Sequence, residues 1–94
     1  MNELLEDRYK FLMNLPSPEH VYTDMEILTI ALHDVWEKTE NMSNDSLMAS
    51  LYPYCVPVIW NVLSATCSER NAEQIDHLIG VLYKLAYSRD KLEF

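Results

Sequence analysis

Glycine is almost missing from this chain: Gly80 is the only one in 94 residues. So few turn formers argue against a β-sandwich or barrel, which needs a turn every few residues. The same scarcity removes the glycine-rich loops that cradle phosphates. Basic residues are also few. Seven Lys and Arg stand against fifteen Asp and Glu, for a formal net charge of −8. A surface of that sign repels a phosphate backbone, so direct nucleic-acid binding is not expected. Cysteine is limited to Cys55 and Cys67. Twelve residues apart on one expected helix, they lie about 18 Å from each other, too far for a disulfide within the chain. Both read as core thiols in a reducing compartment. Met1–Asp7 is acidic and lacks the basic, apolar character of a secretory leader. These features together suggest a cytoplasmic location.

Apolar residues make up 49% of the sequence and charged residues 23%, the balance of a folded globule rather than of disorder. The length suits a single helical domain over residues 1–94. Helical periodicity runs through most of it. Leu4, Leu5, Tyr9, Leu12 and Leu15 recur at three- and four-residue spacing, which predicts a helix over about 2–14. Pro16 and Pro18 end it, and Ser17-Pro18 suits a short turn before the next element. Thr23-Asp24-Met25-Glu26 is a capping box that starts a second helix, with Leu28, Ala31, Leu32, Val35 and Trp36 inward. Asn71 with Gln74 makes another capping box, followed by the stripe Ile75, Leu78, Ile79, Leu82, Leu85 and Ala86.

Leu47–Ser68 holds no Asp, Glu, Lys, Arg or His. A run of that length is long enough for a membrane span. Its prolines, Asn61, Ser50, Ser64 and Thr66, and its acidic flanks favour a buried helix instead. Pro53 and Pro57 predict a break, with a short helix over about 45–51 and a longer one over about 54–68. The expected fold is therefore all-α, a compact bundle of four to five helices around the apolar helix near 54–68.

Catalytic equipment is thin. HExxH, HxH and CxxC spacings are all absent. On the second helix His33 and Glu37 are four apart, with Glu26 and Glu40 on the same expected polar face. No second helix offers matching ligands, so no metal is expected, and no cofactor. Arg70-Asn71 followed by His77 resembles the Arg…His pattern of the HEPN family of helical ribonucleases over eight residues. That resemblance implies phosphodiester cleavage at a dimer interface by Arg70 and His77. Asp76 beside His77, and the acidic surface, oppose RNA.

Contact surfaces are better supplied. Gly80 falls mid-helix on the outer face with Tyr83 and Tyr87 nearby, a notch with amphipathic walls. Ile27 and Ile30 beside Asp34 and Glu37 predict a mixed face for a basic, partly apolar protein partner. Ten acids and three bases give residues 1–46 a net charge of −7, against −1 for the rest. Tyr52, Pro53, Tyr54 and Trp60 exceed what one small core encloses and suit a homodimer contact. The expectation is a non-enzymatic protein-binding module, a small acidic inhibitor, immunity protein, antitoxin or adaptor that masks a basic surface. An assembly or chaperone-like subunit completed by a partner at 47–68 is the alternative.

Overall fold

The computed structural model describes residues 3–15, 19–40, 42 and 44–88, with side chains for all of these except 44–48. Its order is α1 (Glu3–Met13), α2 (Asp24–Thr39), α3 (Asn44–Ala65) and α4 (Ala72–Tyr87). The fold is all-α, a four-helix bundle, and no strand occurs among the described residues. Helices α2, α3 and α4 pack against one another pairwise, while α1 packs on α2. The turn expected at Ser17-Pro18 lies outside the described residues.

Both capping boxes form. The Thr23 hydroxyl accepts from the Glu26 amide, and the Glu26 carboxylate accepts from the Thr23 amide. Asn71 and Gln74 make the same exchange at α4. Each box satisfies amides that have no partner within a helix's first turn. The core is continuous, from Leu5 and Leu12 of α1 to Ile75, Leu78, Ile79, Leu82 and Ala86 of α4.

Helix α3 departs from the expected break. It runs unbroken from Asn44 to Ala65 with Pro53 and Pro57 inside it. An interior proline costs about 3 kcal/mol, because it removes an amide and crowds the carbonyl four residues back. Here the two prolines are four apart and both exposed, as is Ala49. The carbonyls left without a helical donor therefore lie on the side open to water. On the other side Leu51, Cys55, Val58, Ile59, Val62 and Leu63 are buried. Each such side chain contributes roughly 1.5–3 kcal/mol when fully buried, enough together to hold the helix through both prolines.

The end of α3 also differs from expectation. The Ser68 amide donates to the Leu63 carbonyl at 2.9 Å and the Cys67 amide to the Ser64 carbonyl at 3.2 Å. This is the Schellman pattern, which turns the chain through a left-handed residue. That residue is Cys67, with φ of 51°. It is exposed, not a core thiol.

A side chain in the left-handed region costs roughly 1 kcal/mol that glycine does not pay. Cys67→Gly should therefore raise stability by about 0.5–1 kcal/mol, read as a higher urea midpoint at unchanged slope. An unchanged or lower midpoint would show that the Cys67 side chain makes a stabilising contact of its own.

Candidate functional site

Three groups of residues carry chemistry or contact. The first is the face of α2. His33 was expected among exposed carboxylates, but the structure buries it to 5% exposure. The cover is Tyr9 of α1, whose ring stacks on the imidazole with centroids 3.6 Å apart and planes 5° from parallel. Only Nδ1 turns toward the carboxylates, 3.4 Å from Asp34 Oδ1 and 3.8 Å from Glu37 Oε2. Ligand atoms of His33, Asp34 and Glu37 lie within 4.8 Å of one another. One imidazole and two carboxylates from a single helix make an incomplete donor set for a protein metal site. Glu26 does not join them, because it is bound at the start of the helix.

The isoleucines are a plain correction. Ile27 and Ile30 are 0% and 3% exposed. Helix α2 touches all three other helices, so its apolar arc is wider than one stripe, and both isoleucines belong to the core. No mixed isoleucine–carboxylate face exists on the surface. Asp34 and Glu37 do reach it, half-buried and exposed respectively. Burial holds the Asp34 carboxyl above its ordinary range, opposed by the His33 ring.

What lies beside those carboxylates is a cavity that the sequence did not reveal. Lys38, Thr39 and Met42 at the end of α2, with Ser50, Leu51, Pro53, Tyr54 and Pro57 of α3, line an apolar pocket of about 330 Å³. Tyr54 joins pocket to carboxylates. Its hydroxyl is pushed up by burial first, then by Asp34, Cys55 and Glu37. The unbroken helix through Pro53 and Pro57 builds this wall, and the expectation of a break there hid it from sequence reasoning.

The second group is the junction between the α3–α4 loop and the start of α2. Arg70 donates from Nε to Asp24 Oδ1 at 2.9 Å and from Nη2 to the Tyr22 carbonyl at 2.9 Å. Its third bond, from Nη1, goes to the Glu69 carbonyl. Tyr22 in turn donates its hydroxyl to the Leu12 carbonyl. Arg70 thus ties α4's entry to α2 and, through Tyr22, to α1. It precedes the Asn71 cap, whereas His77 is exposed within α4. A guanidinium held this way argues against the phosphodiester role that the HEPN-like spacing implies.

The third group is the outer face of α4. Gly80 is half-buried and Tyr87 exposed. The Tyr83 ring stands 5.4 Å from Tyr52 of α3 and 6.0 Å from Tyr87. The structure therefore brings Gly80, Tyr83 and Tyr87 onto one face with Tyr52, and separates them from Asp34 and Glu37 in a different helix.

Glu26 supplies a pH test of the junction. The Thr23 amide bond, with the His20 ring at 3.1 Å, holds its carboxyl below the usual range against the pull of burial. A folded-state value below the unfolded one gives stability that is present above the ordinary Glu range and lost as acid titrates the group. Stability should fall between about pH 5 and pH 3, more steeply in the native chain than in Glu26→Gln, which keeps a neutral cap. Equal slopes would contradict the assignment.

No protein-family model, no curated protein and no solved structure matches this chain, so a functional reading rests on its own residues.

Proposed function

We propose that the chain is a non-enzymatic protein-binding module, a small acidic inhibitor, immunity-type protein, antitoxin or adaptor that masks a basic surface of a larger partner. One observation carries this reading: Tyr54, which lines the apolar pocket, is close enough to Asp34 and Glu37 for both carboxylates to push its hydroxyl up. A partner can seat an aliphatic or aromatic side chain in the pocket while a neighbouring Lys or Arg meets the carboxylates. Apolar anchors with a charged rim are how such contacts gain both affinity and orientation.

The remaining acids extend the field. Glu3, Asp7 and Glu40 are exposed on or beside α1 and α2, in the half of the chain with net charge −7. That field steers a basic partner to this side and repels nucleic acid. Both cysteines are free thiols, in keeping with a reducing cytoplasm. No helix among the described residues is long and apolar enough to cross a membrane.

Tagged protein retrieved from a lysate of its own cellular context, at low and at high salt, tests the proposal. The expected result is one stoichiometric partner, lost as salt rises and captured at least about tenfold less well by Asp34→Lys/Glu37→Lys. Equal capture by the charge-reversed protein would rule out this face. A folded protein that retains nothing at either salt would contradict the binding-module reading.

A further inference from the structure

Gly80 is where the chain holds a residue that its own fold does not ask for. It sits mid-way along α4, where glycine costs about 1 kcal/mol relative to alanine. Its φ is not positive, so backbone conformation does not require it. Nor does packing: among the described residues a Cβ built there meets no atom within 4 Å beyond its own helix backbone and chain neighbours. Among the described residues nothing fills the space in front of Gly80.

The residues around that space form a second stripe on α4, opposite the buried one. Glu73, Asp76, His77, Gly80, Tyr83, Lys84 and Tyr87 recur at three- and four-residue spacing, and none is buried. The stripe is symmetric about its glycine. Asp76 and Lys84 lie four residues to either side, His77 and Tyr83 three, and Glu73 and Tyr87 seven. When two copies of one helix cross antiparallel at Gly80, residue and counterpart exchange places. With the two axes crossed by about 50°, so that the Asp76–Gly80–Lys84 ridges of the copies lie along each other, Asp76 of each copy faces Lys84 of the other. Self-complementarity of this kind is what a two-fold interface demands. Within one chain neither Asp76 nor Lys84 makes an ion pair among the described residues.

Helix α3 borders the stripe at both ends. Tyr52 meets Tyr83, and Trp60 shares a surface depression with Ile75 near the start of α4. Tyr52, Trp60 and Tyr87 are 49%, 54% and 53% exposed. The charge distribution selects the occupant. Two copies repel through the halves that carry −7 each, and meet with least repulsion through the half that carries −1.

We propose that the α3–α4 face is the interface of a homodimer, in which two α4 helices cross antiparallel at Gly80 with Asp76 paired to Lys84 of the second copy. A face about 24 Å long and two helices wide covers roughly 500 Å² per copy, the low end for specific association. The dimer therefore forms in the micromolar range and leaves the Asp34–Glu37 side open to a different protein.

Sedimentation velocity on the full chain, from about 1 µM to about 500 µM with reductant present, reads the equilibrium directly. Reductant keeps the exposed Cys67 from cross-linking copies. The native chain should shift from monomer to dimer across this range, with Trp60 fluorescence moving to the blue as it is covered. Gly80→Leu should stay monomeric with an unchanged helical circular-dichroism spectrum, since the added side chain projects into open space. Asp76→Lys and Lys84→Asp should each weaken the dimer about tenfold, and the double swap should restore it. The two positions are about 12 Å apart along one helix, so restoration reports contact between copies. A monomer at every concentration overturns the proposal. So does a dimer that Gly80→Leu leaves intact, or a double swap that does not recover.

Discussion

From Leu47 to Ser68 the chain carries no Asp, Glu, Lys, Arg or His, and covering that run organises every other helix. Helices α2 and α4 lie against α3 and against each other, and α1 closes over α2. A 94-residue chain has too little material to surround an apolar helix fully. The molecule is accordingly flat, with Cα extents of 41 × 31 × 18 Å. A thickness of 18 Å is about two helix layers, so each helix keeps one side toward water. For α3 that side holds the prolines, Tyr52 and Trp60.

Separation of charge follows from the same arrangement. An apolar α3 cannot carry the charge that keeps an acidic chain dispersed, so residues 1–46, with a net charge of −7, carry most of it. The result is one face rich in carboxylates with an apolar pocket beside it, and another with tyrosines, a tryptophan and an open glycine. In the proposals made above these surfaces take different occupants, a basic protein on one and α4 of a second copy, with its charges balanced, on the other.

Much of this was legible in the residues. The caps at Thr23 and Asn71 mark the starts of α2 and α4, because each motif satisfies its own amides locally. The stripe from Ile75 to Ala86 marks the buried side of α4 for a similar reason, because α2 and α3 both pack on that one side. Where tertiary contact decides, sequence reasoning failed. Ile27 and Ile30 look peripheral on a helical wheel, yet α2 has neighbours on three sides. His33 looks like part of a polar face until Tyr9, far away in sequence, stacks on it. Pro53 and Pro57 signal a break by local propensity, but burial of the opposite side overrides it. Cys67 reads as an apolar residue, whereas the chain reversal after Ala65 puts it in a left-handed position at the surface. The pocket beside Asp34 and Glu37 depends on the proline-bearing helix staying whole, so it was hidden by the same misreading.

If covering α3 is what holds the bundle together, its amides should be the hardest to expose. Native-state hydrogen exchange in dilute urea measures this residue by residue. Amides from Cys55 to Leu63, Pro57 excepted, should exchange only through global unfolding, together with those of α2 and α4 that face them. Amides of α1, packed mainly on α2, should open earlier and at lower free energy. Exchange of the α3 amides as fast as those of α1 would contradict the account, because the helix taken as the centre would then be an attachment.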